Sequence, residues 1–251
     1  RSCRNTGREG RMVARSSRTV MDEPRFAIYY APVPSSQLWQ LGSRLIGYDA
    51  AAGVTVPLLV PEGVAEGDWL DWTVDPRRYG FHATLKAPFR LSPGSTREDL
   101  VDATAALALR LGPVRLGALV PSRIGDFIAL CPSNPPQPQQ ALAQTIVEAL
   151  DRFRTPLSEA ERQRRKPASL THRQRELLDR FGYPYVAEEF RLHMTLAGPI
   201  SLDRAESTLK AVNQICASKL SGFEQHVDRL CIFEQSDRDS PFRITAAFDL
   251  V

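Results

Sequence analysis

The chain has 251 residues, of which 43% are apolar and 24% charged, an ordinary balance for a globular protein and enough length for one large domain or two lobes with cores of their own. It has no run of about 18 apolar residues to cross a membrane as a helix. Its four cysteines, Cys3, Cys131, Cys216 and Cys231, are scattered with no C-x-x-C pair, which argues against structural zinc or a disulfide framework and fits a reducing cytoplasm. The formal charge of +3 is uneven: residues 1–20 carry six arginines and one acid, contribute +5, and leave about −2 for the rest, which is not the charge of a protein that coats long nucleic acid.

In chain order, residues 1–20 lack hydrophobic periodicity and read as a disordered basic tail. Their Arg- and Ser-rich, acid-poor composition is that of a transit peptide, or of residues upstream of a translation start at Met21. We expect the ordered protein, a single domain over residues 21–251, to begin at Met21. Residues 25–31 read as a strand, ended by Pro32 and Pro34, and Ser35 as the N-cap of a helix through about Ala51. A loop rich in Pro, Gly and Trp is expected over residues 57–76, then a strand over 79–89. Ser95-Thr96-Arg97-Glu98 opens a helix to about Leu111, stopped by Gly112-Pro113. Strands are expected over 114–121 and 126–131, with a turn at Ile124-Gly125. Residues 132–140 read as a Pro- and Gln-rich linker, and 141–153 and 170–181 as helices. The mixed-charge stretch 159–180 reads as a solvated helical surface. A strand over 190–200 follows, then a helix over 202–220 stopped by Ser221-Gly222. Strands over 226–234 and 242–250, joined by the polar turn 235–240, complete the chain.

Two of these strands carry the same pattern, His82-Ala83-Thr84-Leu85 and His193-Met194-Thr195-Leu196, and together take half of the four histidines. Alternation along a strand puts His82, Thr84 and Lys86 on one face and Phe81, Ala83 and Leu85 on the other. It sorts Arg191, His193 and Thr195 from Leu192, Met194 and Leu196 in the same way. Each motif strand is followed by a helix, a Gly-containing stop, a strand, a turn and a strand. This is a repeat of elements offset by about 110 residues. It predicts an α+β, bilobal protein: two pseudo-symmetric lobes of largely antiparallel sheet, helices outside, and a central cleft lined by the polar strand faces. The first motif lobe would span about 77–131 and the second about 188–251.

A histidine, with an ordinary pKa of about 6.5, gives or takes a proton near neutral pH. Two of them flanking a phosphodiester can act as base toward the nucleophile and acid toward the leaving oxygen. Each such transfer supplies roughly 10²- to 10⁴-fold in rate. Thr84 and Thr195 are candidates to hydrogen-bond the non-bridging oxygens, and Lys86 and Arg191 to offset their charge. His172 reads as a helix-start surface residue and His226 as structural. The sequence offers no H-x-x-x-H or H-E-x-x-H metal motif, and no G-x-S-x-G, Walker A or G-x-G-x-x-G pattern.

The two H-φ-[ST]-φ motifs resemble those of the 2H phosphoesterase superfamily. Residues 78–86, 190–198, 171–178 and 181–185 resemble a bacterial branch of it encoded beside phosphonate-utilisation genes. Ala83 is a small residue for the hydrophobic second position. The resemblance, over about 25–251, implies a metal-independent phosphodiesterase without a cofactor, acting on a small cyclic phosphate of ribose or nucleotide type. It maps the catalytic histidines onto His82 and His193 and the hydroxyls onto Thr84 and Thr195. The near-equivalence of the motifs leaves open which histidine is acid and which base. The expected partner is a small phosphorylated substrate, not a membrane or a long nucleic acid. The rival readings are a non-catalytic module that binds a phosphoribosyl or nucleotide ligand, RNA end-joining by the same site, and a metal hydrolase.

Overall fold

The computed structural model describes residues 23–220 and 224–251. The expectations for the basic tail, the start at Met21 and the Ser221-Gly222 stop lie outside the described residues. The elements run β1 (Arg25–Tyr30), α1 (Gln37–Ile46), β2 (Tyr48–Asp49), β3 (Val54–Thr55), α2 (Glu66–Trp72), α3 (Val74–Tyr79), β4 (Ala83–Phe89), α4 (Arg97–Ala108), β5 (Val114–Gly117), β6 (Leu119–Ile124), β7 (Phe127–Pro132), α5 (Gln137–Ala149), α6 (Glu159–Arg164), α7 (His172–Phe181), β8 (Met194–Ala197), α8 (Leu202–Leu220), β9 (Gln225–Val227), β10 (Arg229–Gln235) and β11 (Arg243–Asp249). This is an α+β fold in which, among the described residues, every strand pair is antiparallel.

The sheets are assembled across the repeat. One has the order β11-β10-β1-β4 and the other β6-β7-β8. The first motif strand, β4, therefore shares a sheet with the hairpin that follows the second motif. The second motif strand, β8, shares one with the hairpin that follows the first. β5 and β9, the short strands after each motif's helix, pair with each other. Each is a piece of a longer predicted strand. The first breaks at Gly117, whose φ of 68° suits glycine, and the second at Asp228. Both motif strands lie at a sheet edge, where a missing N–H is tolerated, so Pro88 fits inside β4.

Two predicted irregular segments are helical. The loop expected over 57–76 contains α2 and the first half of α3, which runs on into the expected strand 79–89. Pro76 occupies the first turn of α3, where no N–H is needed, and Trp69 is fully buried with its indole N–H donating to Leu45 O at 2.9 Å. This segment ties the two motifs together: Gly198 N donates to Trp72 O (2.8 Å) and Phe242 N to Arg78 O (2.8 Å). The linker expected over 132–140 already contains the start of α5, with Pro138 in its first turn. α1 ends sooner than predicted, because Gly47 adopts φ 77° and caps it. The charged stretch 159–180 is two helices, with ion pairs such as Arg162–Asp179 (2.7 Å) between them.

The oily faces of both motifs are core. Phe81, Ala83, Met194 and Leu196 have no exposure, and Leu85 and Leu192 have 2% and 6%. Leu196→Ala should therefore cost about 2–5 kcal/mol in urea-monitored stability, whereas Leu202→Ala, at a side chain 74% exposed, should cost no more than about 0.5 kcal/mol.

Candidate active site

Each motif histidine sits one residue before its strand, and both are held the same way. His82 Nδ1 is 2.8 Å from the carbonyl oxygen of Gly80, and His193 Nδ1 is 2.8 Å from that of Arg191. A carbonyl only accepts, so Nδ1 carries the proton in both rings, and Nε2 of the neutral imidazole is left with its lone pair. The two bonds are the same local device, a ring nitrogen donating to the backbone two residues upstream.

Gly80 makes the first of them possible. Its φ of 79° and ψ of 170° fall in a region open essentially only to glycine, and a Cβ there would meet Ala50 Cβ at 2.6 Å. Tyr29, paired with Thr84 across β1 and β4, stacks its ring on His82 at 3.8 Å between centroids and 17° between planes. His82 Nε2 lies 3.2 Å from Thr84 Oγ1. Burial lowers the His82 pKa to about 4, against the bond to Gly80 O, and a charge on His193 lowers it further, so the two imidazoles are within electrostatic reach. Among the described residues His193 has no such stacking partner.

The two motifs meet in one cleft. The part around His82, about 300 Å³, also takes in Thr84 and Thr195. The part around His193, about 510 Å³, takes in Thr84 and Arg191. Both parts share Thr84, Ala87, Phe127 and Tyr183. Five of the six sequence-derived candidates are thus brought together: His82, Thr84, Arg191, His193 and Thr195.

Lys86 is not among them. The pairing of β1 with β4 slips between Tyr29–Thr84 and Ile28–Lys86, which inserts a residue into β4 and breaks the alternation that would have kept Lys86 on the face of His82. Its side chain is only 3% exposed. It bonds Asp151 at 2.9 Å and Val147 O at 3.3 Å, and Asp151 also holds Arg154 at 2.8 Å. Tyr29, Tyr79, Phe127, Arg165 and Tyr183 were not singled out as site residues, because no local motif marks them. Tyr79 and Tyr183 fall in strings that carry the family resemblance, and Tyr29, Phe127 and Arg165 come from other segments. Among the described residues no three of His, Cys, Asp and Glu converge on a point that would hold a metal ion. His172 lies on the surface at the start of α7, 3.4 Å from Glu176, and His226 lies in β9 opposite Arg115.

Residues 84–243 match the family described as "Protein of unknown function (DUF1045)". The chain belongs to that family. It is 35% identical over 221 residues to a Janthinobacterium protein called ribose 1,5-bisphosphate phosphokinase PhnN, and 33% identical over 221 residues to one of the same name from Laribacter hongkongensis. The alignments take in 87% and 88% of the chain but 49% and 50% of those proteins, so the chain spans about half the length of the curated relatives it matches. A crystal structure of E. coli LigT with 3′-AMP aligns over 91% of this chain and 99% of its own, with a TM-score of 0.37 and 16% identity.

The geometry of His82 predicts that ¹⁵N NMR finds its ring neutral, with the proton on Nδ1, down to about pH 4. A midpoint near the ordinary value of about 6.5 would contradict the site as described. Because the unfolded chain takes up this proton more readily, the His82 contribution to stability is complete above about pH 6.5. It should decline as pH falls toward about 4.

Proposed function

We propose that this family member is a 2H-type phosphodiesterase that hydrolyses a small cyclic phosphate on a ribose or nucleotide, with His82 and His193 as an acid–base pair. The observation that carries the reading is that both motif histidines line the cleft with the same bond, Nδ1 to the carbonyl two residues back.

The environment of His82 assigns it the base, and leaves the acid to His193. His82, stacked on Tyr29 and with its pKa lowered to about 4, is neutral at working pH and takes the proton from the attacking water. His193 gives the Nε2 proton of its imidazolium to the departing sugar oxygen. The water oxygen bonds to phosphorus, the ring P–O bond breaks, and the product is a phosphomonoester with a free hydroxyl. Thr84 and Thr195 donate to the non-bridging oxygens, and Arg191 and Arg165, which line the two parts of the cleft, balance their charge. No step calls for a metal or an organic cofactor.

The relatives' name describes phosphoryl transfer to a ribose bisphosphate. The chain has no G-x-x-x-x-G-K-[ST] loop of the kind that cradles nucleotide phosphates, so we assign that step to the part of those longer proteins that this chain does not span. The shared chemistry, a phosphorylated ribose, supports a sugar cyclic phosphate as substrate here.

Ribose and nucleoside cyclic phosphates should be turned over in the presence of EDTA. His82→Ala and His193→Ala should each lower kcat by about 10²- to 10⁴-fold. The acid limb of kcat/KM should lie near pH 4, where His82 protonates, so activity is lost as pH falls through that value. Tight binding of a cyclic phosphate with no turnover would replace this reading with a binding module, and loss of turnover in EDTA would replace it with a metal hydrolase.

A further inference from the structure

A second chamber adjoins the cleft. It has a volume of about 210 Å³ and shares Tyr79, Ala87, Pro88, Arg165 and Tyr183 with the part of the cleft that holds His82. Its walls carry seven cationic side chains and one carboxylate, Glu161. The chain outside its first 20 residues is about −2, so this concentration of positive charge is local to the chamber and not a feature of the whole surface.

Three of the seven are already balanced. Lys86 and Arg154 pair with Asp151, at 2.9 and 2.8 Å, and Arg90 pairs with Glu161 at 2.9 Å. The other four are Arg25, Arg164, Arg165 and Arg238, and none has a carboxylate within salt-bridge distance among the described residues. Arg25 donates from Nε to Gln235 Oε1 at 2.8 Å and lies over the Phe242 ring at 5.5 Å. Arg165 lies over the Tyr183 ring at 5.4 Å, at the junction of chamber and cleft. Burial lowers the Arg25 pKa, and the charges of Arg238 and Arg78 lower it further against the neighbouring tyrosines. Like charges held together in a walled recess, with forked donors and, among the described residues, no carboxylate paired with these four, suit a compact anion with several acceptor oxygens.

We propose that this chamber is a second anion subsite, which takes a phosphomonoester carried by the same substrate whose cyclic diester lies between His82 and His193. This rests on the cyclic phosphodiesterase reading and narrows it: the substrate bears two phosphates, one in the ring that opens and one at the far end of the sugar. The terminal phosphate supplies binding at a distance from the reacting bond, and so holds the ring in register with the two imidazoles.

Two measurements separate this inference from the reading it rests on. The first is kcat/KM for a nucleoside 2′,3′-cyclic phosphate with and without a 5′-phosphate, for the wild type and for the Arg164→Gln/Arg238→Gln double variant. The 5′-phosphate should raise kcat/KM at least 10-fold, chiefly through KM. The double variant should lose that advantage and keep wild-type turnover of the substrate without it. The second is titration calorimetry with ribose 5-phosphate, ribose and inorganic phosphate, which needs no turnover. Ribose 5-phosphate should bind more tightly than inorganic phosphate and at least 10-fold more tightly to the wild type than to the double variant, and ribose should not bind.

Equal kcat/KM for the two cyclic substrates would overturn the subsite and leave the phosphodiesterase standing. So would ribose 5-phosphate binding that the double variant does not weaken, or binding no tighter than that of inorganic phosphate, which would mark a site for the free ion. Ribose 5-phosphate bound through Arg164 and Arg238, with no cyclic phosphate turned over, would sustain the anion site and remove the phosphodiesterase.

Discussion

The site depends on one repeated hydrogen bond, from the Nδ1–H of a histidine to the carbonyl two residues upstream. It fixes the tautomer of both His82 and His193, and with it which nitrogen faces the cleft. The bond is local, so each motif carries its own means of aiming its imidazole. The environment around the two copies is not shared. The first is closed by Gly80, whose conformation and contact with Ala50 exclude a side chain, and by the ring of Tyr29. Among the described residues the second has neither. The same local device thus sits in unequal surroundings, and burial lowers the pKa of His82 in the first of them.

The exchange of hairpins between the two halves places the devices opposite each other. Because β4 completes the sheet of β10 and β11, and β8 completes that of β6 and β7, neither half of the repeat makes its sheet alone. The bonds from Gly198 to Trp72 and from Phe242 to Arg78 fasten the helices before the first motif to the chain after the second. Destabilising either half should therefore disturb both histidines. The same assembly brings Arg25 of β1, Arg164 and Arg165 at the end of α6, and Arg238 of the β10–β11 turn beside one recess.

Much of this was legible in the sequence, for identifiable reasons. Oily alternation marked the buried faces of both motif strands, and α8 was read to the residue because its periodicity runs uninterrupted from Leu202 to Leu220. The α+β class followed from the repeat of elements. Lys86 was misplaced because a bulge in β4 is a property of its pairing with β1 and leaves no trace in β4 itself. α3 and the start of α5 are hidden by proline, whose loop signal yields when it falls in a first turn, and α2 by its Gly and Trp residues. Tyr29 and the four arginines carry no motif, since only the tertiary fold brings them beside the first motif strand.

The central claim is that the two motifs act as one catalytic unit on one bond. The most direct test compares cyclic phosphate hydrolysis by His82→Ala, His193→Ala and the double variant. If the histidines work on the same transition state, the double variant should be no slower than the slower single variant, because the first loss already disables the pair. Losses that multiply would show two groups acting independently and would contradict the account.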